Sequence, residues 1–250
     1  MKSAGSVCGL VLFSLVAFVV PNTASARTPF PAAKAEASSP ASQWNKNLEG
    51  VLNLMDAASP KIRTVEANFE WDVYTKVLDE ITDTQKGTIY FRRSGNGAEM
   101  AADVTEPKES AKYVVVSDEK AQVYEPGINR VDVYDGSKDK EMFESFLLLG
   151  FGGGGHSMNK SFKVSYLGTD TLNGKQLAKL ELVPLSEKIR NNFSRILLWI
   201  NSDGISEQQQ LFFSGEDYRL SKYSKIRLNP RISDAVFKLK TSGKTEVVTH

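Results

Sequence analysis

The sequence predicts a mostly β fold of the α+β kind: an open antiparallel β-barrel or half-barrel of about 11 strands, with capping helices that form a lid. Three observations predict it. From Val65 onward the apolar residues recur with a period near two rather than near 3.6. Turn-forming clusters such as Ser94-Gly95-Asn96-Gly97 and Glu125-Pro126-Gly127 divide the alternating runs at close intervals. In SRILLWIN, Ile196, Leu198 and Ile200 fall on one side and Leu197 and Trp199 on the other, as in a strand covered on both faces.

Taken in order, residues 1–26 read as a secretory leader. Lys2 is its only charge, an apolar run extends from Val7 to Val20, and Ala24-Ser25-Ala26 offers a small-residue cleavage site. That run is shorter than the about 20 apolar residues needed to span a bilayer, and Pro21 follows it. Cleavage after Ala26 would deliver the chain to the periplasm. The one cysteine, Cys8, would leave with the leader, so the mature chain is expected to have no disulfide and no cysteine metal ligand. Residues 27–41 mix Pro, Ala and Ser without periodicity and read as a flexible leader to one domain over 42–250.

That domain opens with a helix. Ser42 is the candidate N-cap; Trp44, Leu48, Val51, Leu52, Met55 and Ala58 recur at helical spacing, and Ser59-Pro60 is the stop. Next, Val65, Ala67, Phe69, Trp71, Val73 and Val77 alternate with polar residues in a strand that would run about 40 Å. Further strands are predicted at 87–93, 98–104, 112–117, 121–126 and 129–135. A second, very apolar helix over 139–149 carries Met142, Phe143, Phe146, Leu147 and Leu149 and ends in glycines. Five more strands follow (SFKVSYLG, QLAKLELVP, SRILLWIN, EQQQLFF and RLSKYSKIRL), with a weaker C-terminal pair near AVFKL and TEVVT.

Composition excludes several functions. With 31 basic and 30 acidic residues, loss of Lys2 leaves 30 of each, and a neutral chain without a basic tract has no footprint for nucleic acid or for anionic membrane. Gly150, Gly152 and Gly155 match G-x-G-x-x-G, but a dinucleotide turn needs a strand before it and a helix after it, and here the order is reversed. The two histidines, His156 and His250, cannot build a histidine metal cluster or an oriented Ser-His-Asp set, and neither a G-x-S-x-G nor an H-E-x-x-H motif is present. No enzyme activity, cofactor or metal is expected, and the chain is expected to be a monomer. The glycines leave two readings open: a tether that lets the apolar helix move as a lid, or a surface loop beside an ordinary core helix.

The order of features resembles the outer-membrane lipoprotein carrier (LolA-like) family from about residue 46 to 250. The resemblance rests on the opening helix before Val65-x-Ala67-x-Phe69, then KGTIYFRR, then VVVSDEKAQVYEP, then ILLWINSDGISEQQQLFF, and later RLNPRISDAVFKL. It implies an open barrel whose apolar cavity shelters lipoprotein acyl chains, or another lipid, between an inner-membrane exporter and an outer-membrane acceptor. It also implies that Arg93 latches the lid through hydrogen bonds to backbone. Ser94 stands where the family has proline, and Gly97, Ala98 and Met100 stand where it usually has aromatic residues.

The expected function is therefore a periplasmic lipid carrier; the alternative is an envelope-stress sensor that uses the same open barrel to bind partners. The expected lipid-binding residues are Phe69, Trp71, Val73, Ile89, Phe91, Met100, Leu197 and Trp199, with Met142, Phe146 and Leu147 on the lid. Large aromatic and Met side chains along a concave sheet suit long alkyl chains. For any one of them, a filled core is the plainer reading.

Overall fold

A computed structural model describes residues 45–94, 97–136, 149, 151–191, 193–213, 215–241 and 243–250. The leader, Ser42, Trp44 and the lid residues Met142, Phe146 and Leu147 lie outside the described residues.

The first helix, α1 (Leu48–Ala58), begins later than the periodicity suggested, because Asn47 caps it by accepting the amide N–H of Gly50 at 2.8 Å. Val51, Leu52 and Met55 form its buried face. A 3₁₀ turn over Ser59–Lys61, with Pro60 in it, ends the helix and releases the chain into strands. These are β1 (Thr64–Thr75), β2 (Glu80–Ser94), β3 (Gly97–Glu106), β4 (Lys112–Ser117), β5 (Lys120–Glu125) and β6 (Arg130–Asp135). A second series follows the glycines: β7 (Phe162–Leu172), β8 (Lys175–Pro184), β9 (Phe193–Ile200), β10 (Ser206–Phe213) and β11 (Tyr218–Leu228), with a short helix α2 (Glu187–Arg190) before β9 and β12 (Glu246–Thr249) last.

All 12 strands join one sheet in the order β12-β6-β5-β4-β3-β2-β1-β11-β10-β9-β8-β7. Two meanders thus meet in the middle, where β1 pairs with β11, and the edges β7 and β12 do not pair with each other. The fold is the open, helix-covered half-barrel that the sequence predicts. Strand β2 starts seven residues before the expected Gly87, because Glu80 to Lys86 lack apolar alternation yet pair with β1, through one register shift at Thr82. Two expectations at the C-terminus are corrected. AVFKL is not a strand: Asp234–Phe237 is a 3₁₀ turn whose Phe237 packs on Ala101 and Val115. TEVVT is a strand, the twelfth, but it runs parallel to β6 in an otherwise antiparallel sheet.

One face of the sheet carries α1 and the glycine segment, and is called the inner face here. Two apolar clusters fill it. The first gathers Val65, Ala67, Phe69, Ile89, Phe91, Val104, Val114 and Phe151; the second joins Val51, Leu52 and Met55 of α1 to Leu180, Leu182, Ile196, Leu198 and Ile200. SRILLWIN is covered on both faces as expected, since Leu197 and Trp199 pack on the outer side with Leu177 and Phe212.

Candidate functional site

Register shows which expected wall residues share a surface. Along β1, Phe69 lies opposite Tyr223, Trp71 opposite Ser221 and Val73 opposite Arg219; on the other side Val65 meets Phe91 and Ala67 meets Ile89. Phe91 in turn lies opposite Met100. Phe69, Trp71, Val73, Ile89, Phe91 and Met100 therefore all face inward. Phe69, Ile89 and Phe91 are buried, while Trp71 and Met100 are partly buried against the same cluster. The Phe69 and Trp71 rings stack with centroids 3.9 Å apart.

Leu197 and Trp199 do not belong to this wall. Following the ladder from Phe69's face through Ser221 and Gln209 leads to Leu198, so the inner residues of β9 are the even-numbered ones. The side chains of Leu197 and Trp199 point to the opposite face, where charges seal them in. Lys179 lies 4.7 Å from the Trp199 ring centroid, Arg195 lies 4.0 Å from that of Phe212, and the Trp199 indole N–H donates to Asp170 at 3.0 Å. That bond is the main reason the Asp170 carboxyl titrates below its ordinary range. The parity of a doubly apolar strand cannot be read from the strand alone, which is why sequence reasoning puts these two on the wrong side.

The cover of the inner face comes from the glycine segment. Leu149 enters the second cluster, and Phe151, 1 % exposed, enters the first. The Phe151 ring meets Tyr223 edge-on with centroids 4.7 Å apart. A Cβ at Gly152 would lie 3.6 Å from Phe91, so this backbone runs directly over the wall. Burial pushes the Tyr223 phenol up to about 12, against hydrogen bonds with Ser221 and Trp71. Sequence reasoning missed Phe151; its only signal was a large aromatic side chain standing alone among glycines.

The glycines serve proximity as well as turning. Gly152 has φ +130°, which an L side chain rarely adopts, and a Cβ on Gly155 would lie 2.4 Å from the Leu52 carbonyl oxygen. Among the described residues no α-helix follows the glycines to hold a pyrophosphate: those after Gly155 form a 3₁₀ turn, His156–Lys160, and then β7.

Polar bonds tie this segment down at two places. Arg93, at the end of β2, donates from Nε to the Ile62 carbonyl at 3.0 Å, and from Nη2 to the Ser59 carbonyl at 3.2 Å, to Ser59 Oγ at 2.8 Å and to the Gly152 carbonyl. Ser59 Oγ also donates to Gly152 O at 2.6 Å. The side chain expected to act as a latch thus joins the end of α1 to the glycine segment through backbone oxygens. At the second tie, the His156 backbone N–H donates to Asp56 at 3.3 Å, and its imidazole pairs with Asp56 and, at 3.4 Å, with Glu49.

The bond to Asp56, then that to Glu49, raises the His156 pKa above its ordinary 6.5. A base raised on folding adds stability that is complete below its unfolded value and is lost as pH climbs through the folded one. The glycine segment should therefore hold α1 more firmly at about pH 5.5 than at about pH 8.5. Protection factors from amide exchange over residues 154–160, referred to the intrinsic rate at each pH, check this, and the difference in protection should vanish in His156→Ala.

A hollow of about 460 Å³ is lined mostly by polar residues, among them Asn68, Glu70, Lys86, Thr88, Lys222 and Ser224, together with Phe69 and Tyr223. Glu70 pairs there with Lys86 at 2.9 Å and with Lys222 at 2.8 Å, so its lining is too polar for an alkyl chain.

No family model matches the chain, and no curated protein matches it. Solved structures do. An uncharacterized conserved protein from Thermus thermophilus superposes with a TM-score of 0.51 at 10 % identity, over 81 % of this chain and 98 % of that one. A putative outer membrane lipoprotein-sorting protein domain from Vibrio parahaemolyticus follows at 0.45 and 12 %, covering 78 % and 97 %. A LolA superfamily protein from Nitrosomonas europaea gives 0.40 and 12 %, covering 77 % and 98 %. At such identities the likeness to the Thermus protein concerns the fold alone, and the other two superpose too loosely to add to it.

Proposed function

We propose that this chain is a periplasmic carrier that takes the acyl chains of a lipoprotein, or another lipid, onto its inner face and carries them toward the outer membrane. One observation carries the reading: an apolar wall is covered by Phe151 on a glycine-rich segment whose ties are a few hydrogen bonds and one imidazole pair. Each methylene removed from water is worth about 0.8 kcal/mol, so a chain of roughly 15 methylenes needs about 12 kcal/mol of shelter to cross an aqueous gap. A carrier that supplied all of it would never release its cargo. A closed state in which protein side chains occupy the same wall competes with the lipid and makes release favourable. An exporter in the inner membrane would deliver the cargo, and an acceptor in the outer membrane would receive it.

The test uses the whole mature chain. A fluorescent fatty acid should gain intensity on mixing with the protein and lose it when palmitate competes, and lipid should pass faster between vesicles when the protein is present. Absence of both effects would overturn the carrier and favour the sensor, which needs the barrel but no exchangeable lipid.

A further inference from the structure

The inner wall is not apolar throughout. One row of paired residues crosses it from β2 to β10: Gln85, Trp71, Ser221 and Gln209 stand opposite one another in successive ladders, so they project from the face that carries Phe69. Gln85 and Ser221 are buried, and Trp71 packs against the inner cluster. Two amides, a hydroxyl and an indole N–H make a band that hydrogen-bonds without carrying charge. One row further toward the β1–β2 hairpin, Val73 lies between one acid, Asp83, and one base, Arg219.

The band borders the place that Phe151 fills. The Phe151 ring meets Tyr223 edge-on with centroids 4.7 Å apart, Tyr223 lies opposite Phe69, and Phe69 stacks on Trp71 at 3.9 Å. The Tyr223 hydroxyl belongs to the band as well. Burial raises its pKa, but Ser221 and Trp71 each pull it down, as groups do that donate to a phenol oxygen. That leaves the phenol's own O–H for a further acceptor.

We propose that this band reads the head of the cargo: when Phe151 withdraws, an acyl chain takes its place along Phe69 and Phe91, and the carbonyl oxygen of its ester or amide accepts the Tyr223 O–H. The subsite rests on the carrier reading and narrows its cargo to acyl chains in ester or amide linkage. Such a carbonyl is an acceptor without charge, which matches a row of neutral groups, whereas a carboxylate buried there would lose its water with no counter-charge in the row. A bare alkyl chain would leave the phenol proton unmet, at a similar kind of cost.

Methyl decanoate and undecane have chains of like length, and only the first has a carbonyl. Both are titrated against the full chain by competition with a neutral fluorescent lipid. In Tyr223→Phe, which keeps the ring against Phe151, methyl decanoate should bind about 3- to 10-fold more weakly while undecane is unchanged. With the ester carbonyl isotope-labelled, its infrared stretch should lie at lower wavenumber in the unaltered protein than in Tyr223→Phe, as a hydrogen-bonded carbonyl does. Undecane also reports folding, so a collapsed variant is not mistaken for a lost subsite. Equal losses for ester and alkane, no loss at all, or an unshifted carbonyl stretch would overturn the subsite and leave the carrier standing. If neither compound displaces the fluorescent lipid from the unaltered chain, the subsite falls alone; if that lipid itself does not bind, the carrier reading falls with it.

Discussion

Phe151→Ala is expected to lower the melting temperature and, in the same protein, to tighten binding of a fluorescent fatty acid by about 100-fold or more. The two effects have one origin. Phe151 is 1 % exposed against Phe91 and Tyr223, so truncating it removes contacts from the closed state at a cost of about 3–5 kcal/mol, the range for core Phe→Ala changes. In the lipid-bound state the ring has already given up those contacts, so that state loses little. The difference lowers the free energy of opening, and the lipid no longer has to overcome it. A side chain that merely completes the core predicts something else: a lower melting temperature with unchanged or weaker binding. That result would remove the plug role and with it the competition on which release depends. Differential scanning fluorimetry and a lipid titration on the same sample decide between them.

The fold was legible in the sequence because each long strand announces one buried face. The alternation of Val65, Ala67 and Phe69 placed β1 correctly, and Ile89, Phe91 and Met100 followed onto the same surface through register. What failed lacked that asymmetry. Leu197 and Trp199 sit in a strand apolar on both sides, where only the pairing through Gln209 and Ser221 shows which side is inner. AVFKL has the composition of a strand, but Phe237 is buried against the outer face beneath the Arg92 guanidinium, 4.3 Å away, and needs no ladder for that. Phe151 is a long-range fact: it packs on a surface built from β1, β2 and β11, which no local pattern joins to the glycines. Arg93 was singled out by resemblance alone, since a single arginine at a strand end carries no periodic signal.

Arg93→Ala should destabilise the protein by about 2–3 kcal/mol, because charge-assisted bonds to the carbonyls of Ser59, Ile62 and Gly152 are lost together and those oxygens lie in a partly buried place. Arg93→Lys should recover only part of it: one ammonium cannot span the end of α1 and the glycine segment as the flat guanidinium does. Amide exchange should accelerate around 59–63 and 151–155 and leave the β8–β9 ladder untouched. Lipid binding should tighten, as it does on losing Phe151, since both changes weaken the same closed state. That shared target allows a stricter test. Once Phe151 no longer seats the segment, the latch has less to hold, so the gains of Phe151→Ala and Arg93→Ala should fall short of additivity by about 0.5 kcal/mol or more, as for coupled neighbours. Full additivity would mean that ring and guanidinium act on separate motions. The cover would then open in pieces rather than as one unit, and a lipid could enter past Phe151 with the Arg93 bonds still in place.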